Sequence, residues 1–111
     1  MSSRTDAVAR LRQVPYPRRM DPATVTGELL KDVDSDRHFL RVPAEVRRAW
    51  SHLARRGAIR VTVTVGGSSW DASMLPWADG SAQVSVGAVV RRREGLREGD
   101  TVTAVLRPRD A

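Results

Sequence analysis

Cysteine is absent from this 111-residue sequence, which removes disulfides, thiolate nucleophiles and cysteine-ligated metals together. Histidine is scarce: His38 and His52 stand fourteen positions apart. Neither is followed at i+4 by a second histidine or a carboxylate, the spacing that sets two ligands on one helical face. No metal and no cofactor is expected. There is no phosphate-binding glycine loop, no dinucleotide fingerprint and no Ser-His-Asp order in a supporting context, so catalysis has little to rest on. No apolar run approaches the roughly 18 residues of a membrane span. The first nineteen residues carry basic groups without the apolar core of a signal peptide, so a cytoplasmic protein without membrane contact is expected.

Lysine is the next scarcity. Of nineteen basic residues only Lys31 is not arginine, a uniformity that reads as genome composition as much as selection for guanidinium chemistry. The net charge of +6 is unevenly placed. Residues 1–20 hold Arg4, Arg10, Arg12, Arg18 and Arg19 against Asp6, and so carry +4 of it. Pro15, Pro17 and Pro22 keep that stretch extended. Residues 1–22 therefore read as a disordered basic arm, and residues 23–111 as one nearly neutral domain. Its apolar content, 41% over the whole chain, suffices for a small core.

Within 23–111 the period is short. Thr24–Lys31 reads as a strand with a bulge at Gly27, and 37–42 as a second strand. Pro43 opens a helix in which Val46, Ala49, Trp50 and Leu53 form the buried stripe, and Gly57 is its left-handed stop. Ile59, Val61, Val63 and Val65 alternate with Arg60, Thr62 and Thr64, the pattern of a half-buried strand. Gly66-Gly67 turns it into Ser69–Pro76. Ala82, Val84 and Val86 alternate next, residues 88–93 make one or two helical turns, and 101–107 is a last strand. Six strands and two short helices predict a mainly β, small split barrel.

The chain also repeats itself. Leu40-Arg-Val-Pro-Ala-Glu-Val46-Arg47-Arg48 matches Val84-Ser-Val-Gly-Ala-Val-Val90-Arg91-Arg92 at a constant offset of 44. Gly57 matches Gly99 at an offset of 42. The second copy, with its Leu96-Arg-Glu-Gly99-Asp100-Thr-Val102 segment, resembles the half-barrel of AbrB-type transition regulators. The ordered set Val42-Pro43, Arg60–Val63, Ser73-Met74-Leu75-Pro76, Asp79-Gly80 and Gly99–Val102 resembles a bacterial domain of unknown function. That domain occurs alone or fused to the YdeI/OmpD-associated, bacteriocin-protection module. The resemblance implies two AbrB-like β-α-β repeats in one chain, and it brings no activity.

Three readings of function remain open. The first is a non-catalytic binding or accessory domain for a small molecule or peptide. Its candidate groove holds Trp70, Asp71, Ser73, Trp77 and Asp79, with Arg60 and Arg91 as anion contacts. The plainer alternative packs Trp70 in the core and lets Asp79 cap a turn. The second reading is nucleic-acid binding by Arg10, Arg12, Arg18 and Arg19 of the arm, with Arg47, Arg48, Arg91 and Arg92 on the barrel. A solvated charged face is the plainer account of those arginines. The third is a small enzyme of a specialised pathway, for which Asp71 and Ser73 on one strand are not a mechanism. A monomer or a homodimer is expected.

Overall fold

The computed structural model describes residues 21–109, so the arm expected at 1–22 lies almost wholly outside the described residues. Alternation decides the central hairpin. In β4 (Ile59–Val65) the four aliphatic side chains are buried while Arg60 is exposed. β5 (Ser68–Pro76) pairs with it antiparallel from Val65↔Ser68 to Ile59↔Met74. Gly66, at φ +56°, supplies the left-handed residue that this two-residue connection needs. β7 (Thr101–Pro108) lies on the other side of β4, with β1 (Ala23–Glu28) beyond it. The remaining sheet is β6 (Ala82–Ser85), β3 (His38–Val42) and the two-residue β2 (Leu30–Lys31). The full order is β1-β7-β4-β5-β6-β3-β2, a nearly closed barrel-like sheet.

The strand count is seven rather than six, and one residue is responsible. The run expected at Thr24–Lys31 breaks at Leu29, not at Gly27. The Leu29 N–H donates to the Asp100 carbonyl at 2.8 Å, and its own carbonyl accepts from the Gly99 N–H at 2.8 Å. Upstream of that break the run pairs with β7; downstream it pairs with β3. β5 likewise serves two partners, β4 through Met74 and β6 at Leu75 and Pro76.

Two register positions stand out. In the β3–β6 pair Leu40 faces Val84, 44 positions on. In the β4–β7 pair Val63 faces Leu106, 43 positions on. All four side chains are buried, and with Trp50, Leu29, Ile59 and Met74 they fill the barrel interior. Burial of such aliphatic side chains, roughly 1.5–3 kcal/mol each, is the main force holding the strands together.

The first helix departs from expectation. α1 covers Ala44–Ala49, and the stripe continues through a 3-10 turn at Ser51–Leu53. Val46 and Trp50 are fully buried as the periodicity requires. Gly57 does not stop this helix. It is the second of two left-handed residues, after Arg56 at φ +54°, in a tight turn closed by the Arg55↔Ala58 bridge. α2 (Ala88–Glu94) ends as glycine predicts. Gly95 is left-handed at φ +67°, and the Leu96 N–H reaches back to the Arg91 carbonyl at 2.8 Å. No helix among the described residues is long and apolar enough to cross a membrane.

Candidate functional site

The expected site residues fall into three separate places. The period of two along β5 turns Trp70, Ala72 and Met74 inward and Asp71 and Ser73 outward. Trp70 packs against the core and donates its indole N–H to the Ser85 carbonyl at 3.2 Å. On the outer side, Asp71 accepts from the Thr62 hydroxyl at 3.0 Å and pairs with Arg109 at 3.3 Å. Arg60, Asp71, Ala72, Ser73 and Arg109 line a shallow depression of about 230 Å³.

Trp77 and Asp79 belong to a second place, the outer side of β3. Trp77 stacks on Phe39 with ring centroids 5.5 Å apart and planes 28° from parallel. Guanidiniums cover both ends of the stack: Arg37 lies 4.8 Å from the Phe39 centroid and Arg41 4.5 Å from that of Trp77. Stacking and cation–π attraction account for a phenylalanine buried on the outside of a barrel. Asp79 accepts from the Ser81 hydroxyl at 2.6 Å, from the Ser81 N–H at 3.0 Å and from Arg41 at 2.6 Å. These bonds favour the carboxylate, the Ser81 hydroxyl most, and draw its pKa from an ordinary 3.8 down to about 2. The two tryptophans therefore share no wall: Trp70 faces the interior and Trp77 the outside.

The third place is a hollow of about 450 Å³ beside α2, lined by Arg91, Arg92, Arg97 and Asp36 over Ala88, Gly95 and Leu96. Helical spacing and the left-handed Gly95 bring Arg97 back beside Arg91 and Arg92. The Arg91 side chain, 12% exposed, reaches Asp36 at 3.2 Å and the Val86 carbonyl at 3.4 Å, and it touches His38 Nδ1. Arg92 and Arg97 are exposed and make no ion pair among the described residues. Guanidiniums stay protonated and present several N–H donors in a plane, the geometry that suits carboxylate or phosphate oxygens.

Neither Arg97 nor Asp36 is picked out by sequence reasoning. A glycine closing an arginine-rich helix, followed by Leu96-Arg97, is the signal that could have found the first. Of the remaining basic candidates, Arg47 donates to the Ser81 carbonyl at 3.2 Å and Arg48 is exposed. Arg10, Arg12, Arg18 and Arg19 lie outside the described residues. His38 accompanies Arg91, and His52 is exposed in the 3-10 turn. No group of three His, Asp or Glu side chains gathers at metal-ligand distance among the described residues.

No curated protein matches this sequence. One family model does, across residues 26–106, from within β1 to near the end of β7. The match takes in β3, β6 and both helices, omits the arm, and covers most of the chain, which therefore belongs to the family described as Domain of unknown function (DUF1905).

Proposed function

We propose that this domain is a non-catalytic binding module, and that its ligand is a small molecule or peptide bearing a carboxylate or phosphate seated in the hollow beside α2. The observation that carries the reading is the convergence of Arg91, Arg92 and Arg97 on one hollow against the single carboxylate of Asp36. Arg91 is held in place by Asp36, while Arg92 and Arg97 present their donors to solvent. Charge-assisted, forked hydrogen bonds are the strongest contacts such a wall offers. A ligand that binds only the folded state raises its stability. Titration of the full chain with inorganic phosphate, pyrophosphate and citrate, followed by thermal unfolding, is the test. A saturable rise in Tm that Arg92→Gln/Arg97→Gln removes supports the reading. A rise that survives the double substitution, or none with any of the three anions, overturns it.

The proposal extends to how the barrel arose, as two AbrB-like repeats in one chain. Each half runs strand, strand, helix, strand: β1/β2, β3, α1, β4 and then β5, β6, α2, β7. α1 and α2 start at Ala44 and Ala88, 44 positions apart, each after an extended residue. The facing pair Leu40↔Val84, at the repeat's own offset of 44, is the contact a local twofold axis through the barrel requires, and Val63↔Leu106, at 43, lies one residue from the offset of 42 between Gly57 and Gly99. The matched arginines Arg47 and Arg91 both reach the segment ahead of the other half's strand, Arg47 the Ser81 carbonyl ahead of β6 and Arg91 the Asp36 carboxylate ahead of β3. A chain carrying residues 68–109 twice in tandem tests this. Cooperative unfolding of that chain supports duplication, and failure to acquire β structure counts against it.

A further inference from the structure

One ring nitrogen behind the hollow is claimed twice. His38, half-buried at the start of β3, sets its Nδ1 2.7 Å from the Asp36 carbonyl oxygen and against an Arg91 guanidinium N–H. The two claims need opposite states of that atom. The carbonyl accepts only from a protonated Nδ1, whereas the guanidinium donates only to its lone pair. Arg91 also donates to the Asp36 carboxylate at 3.2 Å and to the Val86 carbonyl at 3.4 Å. It lines the hollow beside the exposed Arg92 and Arg97. The charged groups on the elements around His38 are few. Lys31, its register partner on β2, donates to the Asp32 carbonyl at 3.1 Å. Arg37 turns to Gln83 and the Phe39 ring. β1, packed against β3, has only Glu28, which lies beside Gly99, and β6 has none. α2 adds Arg92, Arg93 and Glu94, and Glu94 takes the Ser68 hydroxyl. Carboxylates, lysines and arginines ordinarily keep their charge between about pH 5.5 and 7.5, where an imidazole changes its own.

We infer that His38 is a proton-operated positioning residue for the hollow, and that its protonation tightens the binding of an anion there. The inference rests on the reading of the hollow as an anion site. With a lone pair on Nδ1, Arg91 is held back by three acceptors, on His38, Asp36 and Val86. A proton on Nδ1 is donated to the Asp36 carbonyl instead, and Arg91 loses one of the three. The imidazolium then faces a guanidinium, and like charges in contact repel. Arg91 is pressed toward the hollow, and the wall gains a positive charge. Both effects favour an anion, so binding tightens as pH falls. The dependence is reciprocal: a bound anion favours the protonated ring by the same factor.

Calorimetric titration of the full-length chain with inorganic sulfate, between about pH 7.5 and 5.5 at fixed ionic strength, tests the inference. Sulfate keeps both its charges throughout, so its own titration adds nothing. Kd should fall at least about fivefold across that window, the lower end of ordinary coupling between two sites. His38→Gln should lose this dependence, and His52→Gln, exposed in the 3-10 turn, should keep it. Circular dichroism and Tm report whether the variants are folded. The parent chain gives a second readout that needs no variant. Followed by NMR against pH, the midpoint of the His38 ring signals should move upward when sulfate is added, while that of His52 stays. Sulfate binding that ignores pH, a dependence that survives His38→Gln, or a His38 midpoint unmoved by sulfate overturns the inference and leaves the anion site standing. No sulfate binding at either pH, or binding indifferent to Arg92→Gln/Arg97→Gln, removes the anion site and the inference with it.

Discussion

The Glu94 carboxylate lies over the Gly66 backbone, in the space a β-carbon at residue 66 would need, and accepts a 2.6 Å hydrogen bond from the buried Ser68 hydroxyl. The contact fastens the end of α2 to the β4–β5 hairpin. Gly66→Ala meets two penalties. A left-handed φ costs an L-residue about 1–2 kcal/mol. Displacing Glu94 strands the Ser68 hydroxyl, at about 1–3 kcal/mol. Chemical denaturation should show the destabilisation. The separate costs of Gly66→Ala and Glu94→Ala should sum to more than the cost of the double variant, because the collision is then gone.

The turn at Arg55–Ala58 carries correctable strain. Arg56 occupies φ +54° ahead of Gly57 at φ +83°. Asn-Gly is the preferred pair where both central residues are left-handed. Arg56→Asn should stabilise the domain by about 0.5–1 kcal/mol, a rise of a few degrees in Tm. An unchanged or lower Tm would refute the assignment of strain.

Asp79 makes stability depend on acid. Its carboxyl is lowered from 3.8 to about 2 in the folded chain, chiefly by the Ser81 hydroxyl, then by the Ser81 N–H and Arg41. A carboxyl with a depressed folded pKa adds stability above its unfolded value. That contribution is lost as pH falls from about 3.8 through about 2. Asp79→Asn should be less stable than the parent at neutral pH, and the difference should shrink across that window when Tm is followed against pH.

The tryptophans should rank by location. Trp50 is fully buried in the core, and Trp50→Ala should cost about 3–5 kcal/mol. Trp77→Ala uncovers Phe39 and releases Arg41 without opening the interior, so about 1–2 kcal/mol is expected. Denaturant midpoints of the two variants would settle the order.

What is legible in the sequence is local. Period-two runs in β4, β5 and β7 place each side chain on its face, because alternation follows from strand geometry alone. The stripe from Val46 to Leu53 shows in the spacing even though the helix tightens at Trp50. Gly57 misleads because a left-handed glycine ends a helix and completes a tight turn with the same dihedral, and Arg56 gives no sign of sharing it. The stack of Phe39 on Trp77 joins residues 38 apart, and the hollow joins Asp36 to Arg91 and Arg97. No periodicity reports such meetings. The break at Leu29 is hidden for the same reason, since its partners Gly99 and Asp100 lie at the far end of the chain.

The pairing of Ala23 with Leu106 has a kinetic consequence. The first strand of the barrel finds its partner only in the last, so loop-closure entropy must be met across nearly the whole domain before that ladder forms. During synthesis β1 must wait, one edge exposed, until β7 has left the ribosome, while the β4–β5 hairpin can close as soon as it is made. Completion of the barrel therefore waits on its last strand, and β1 is the described segment longest open to misassociation.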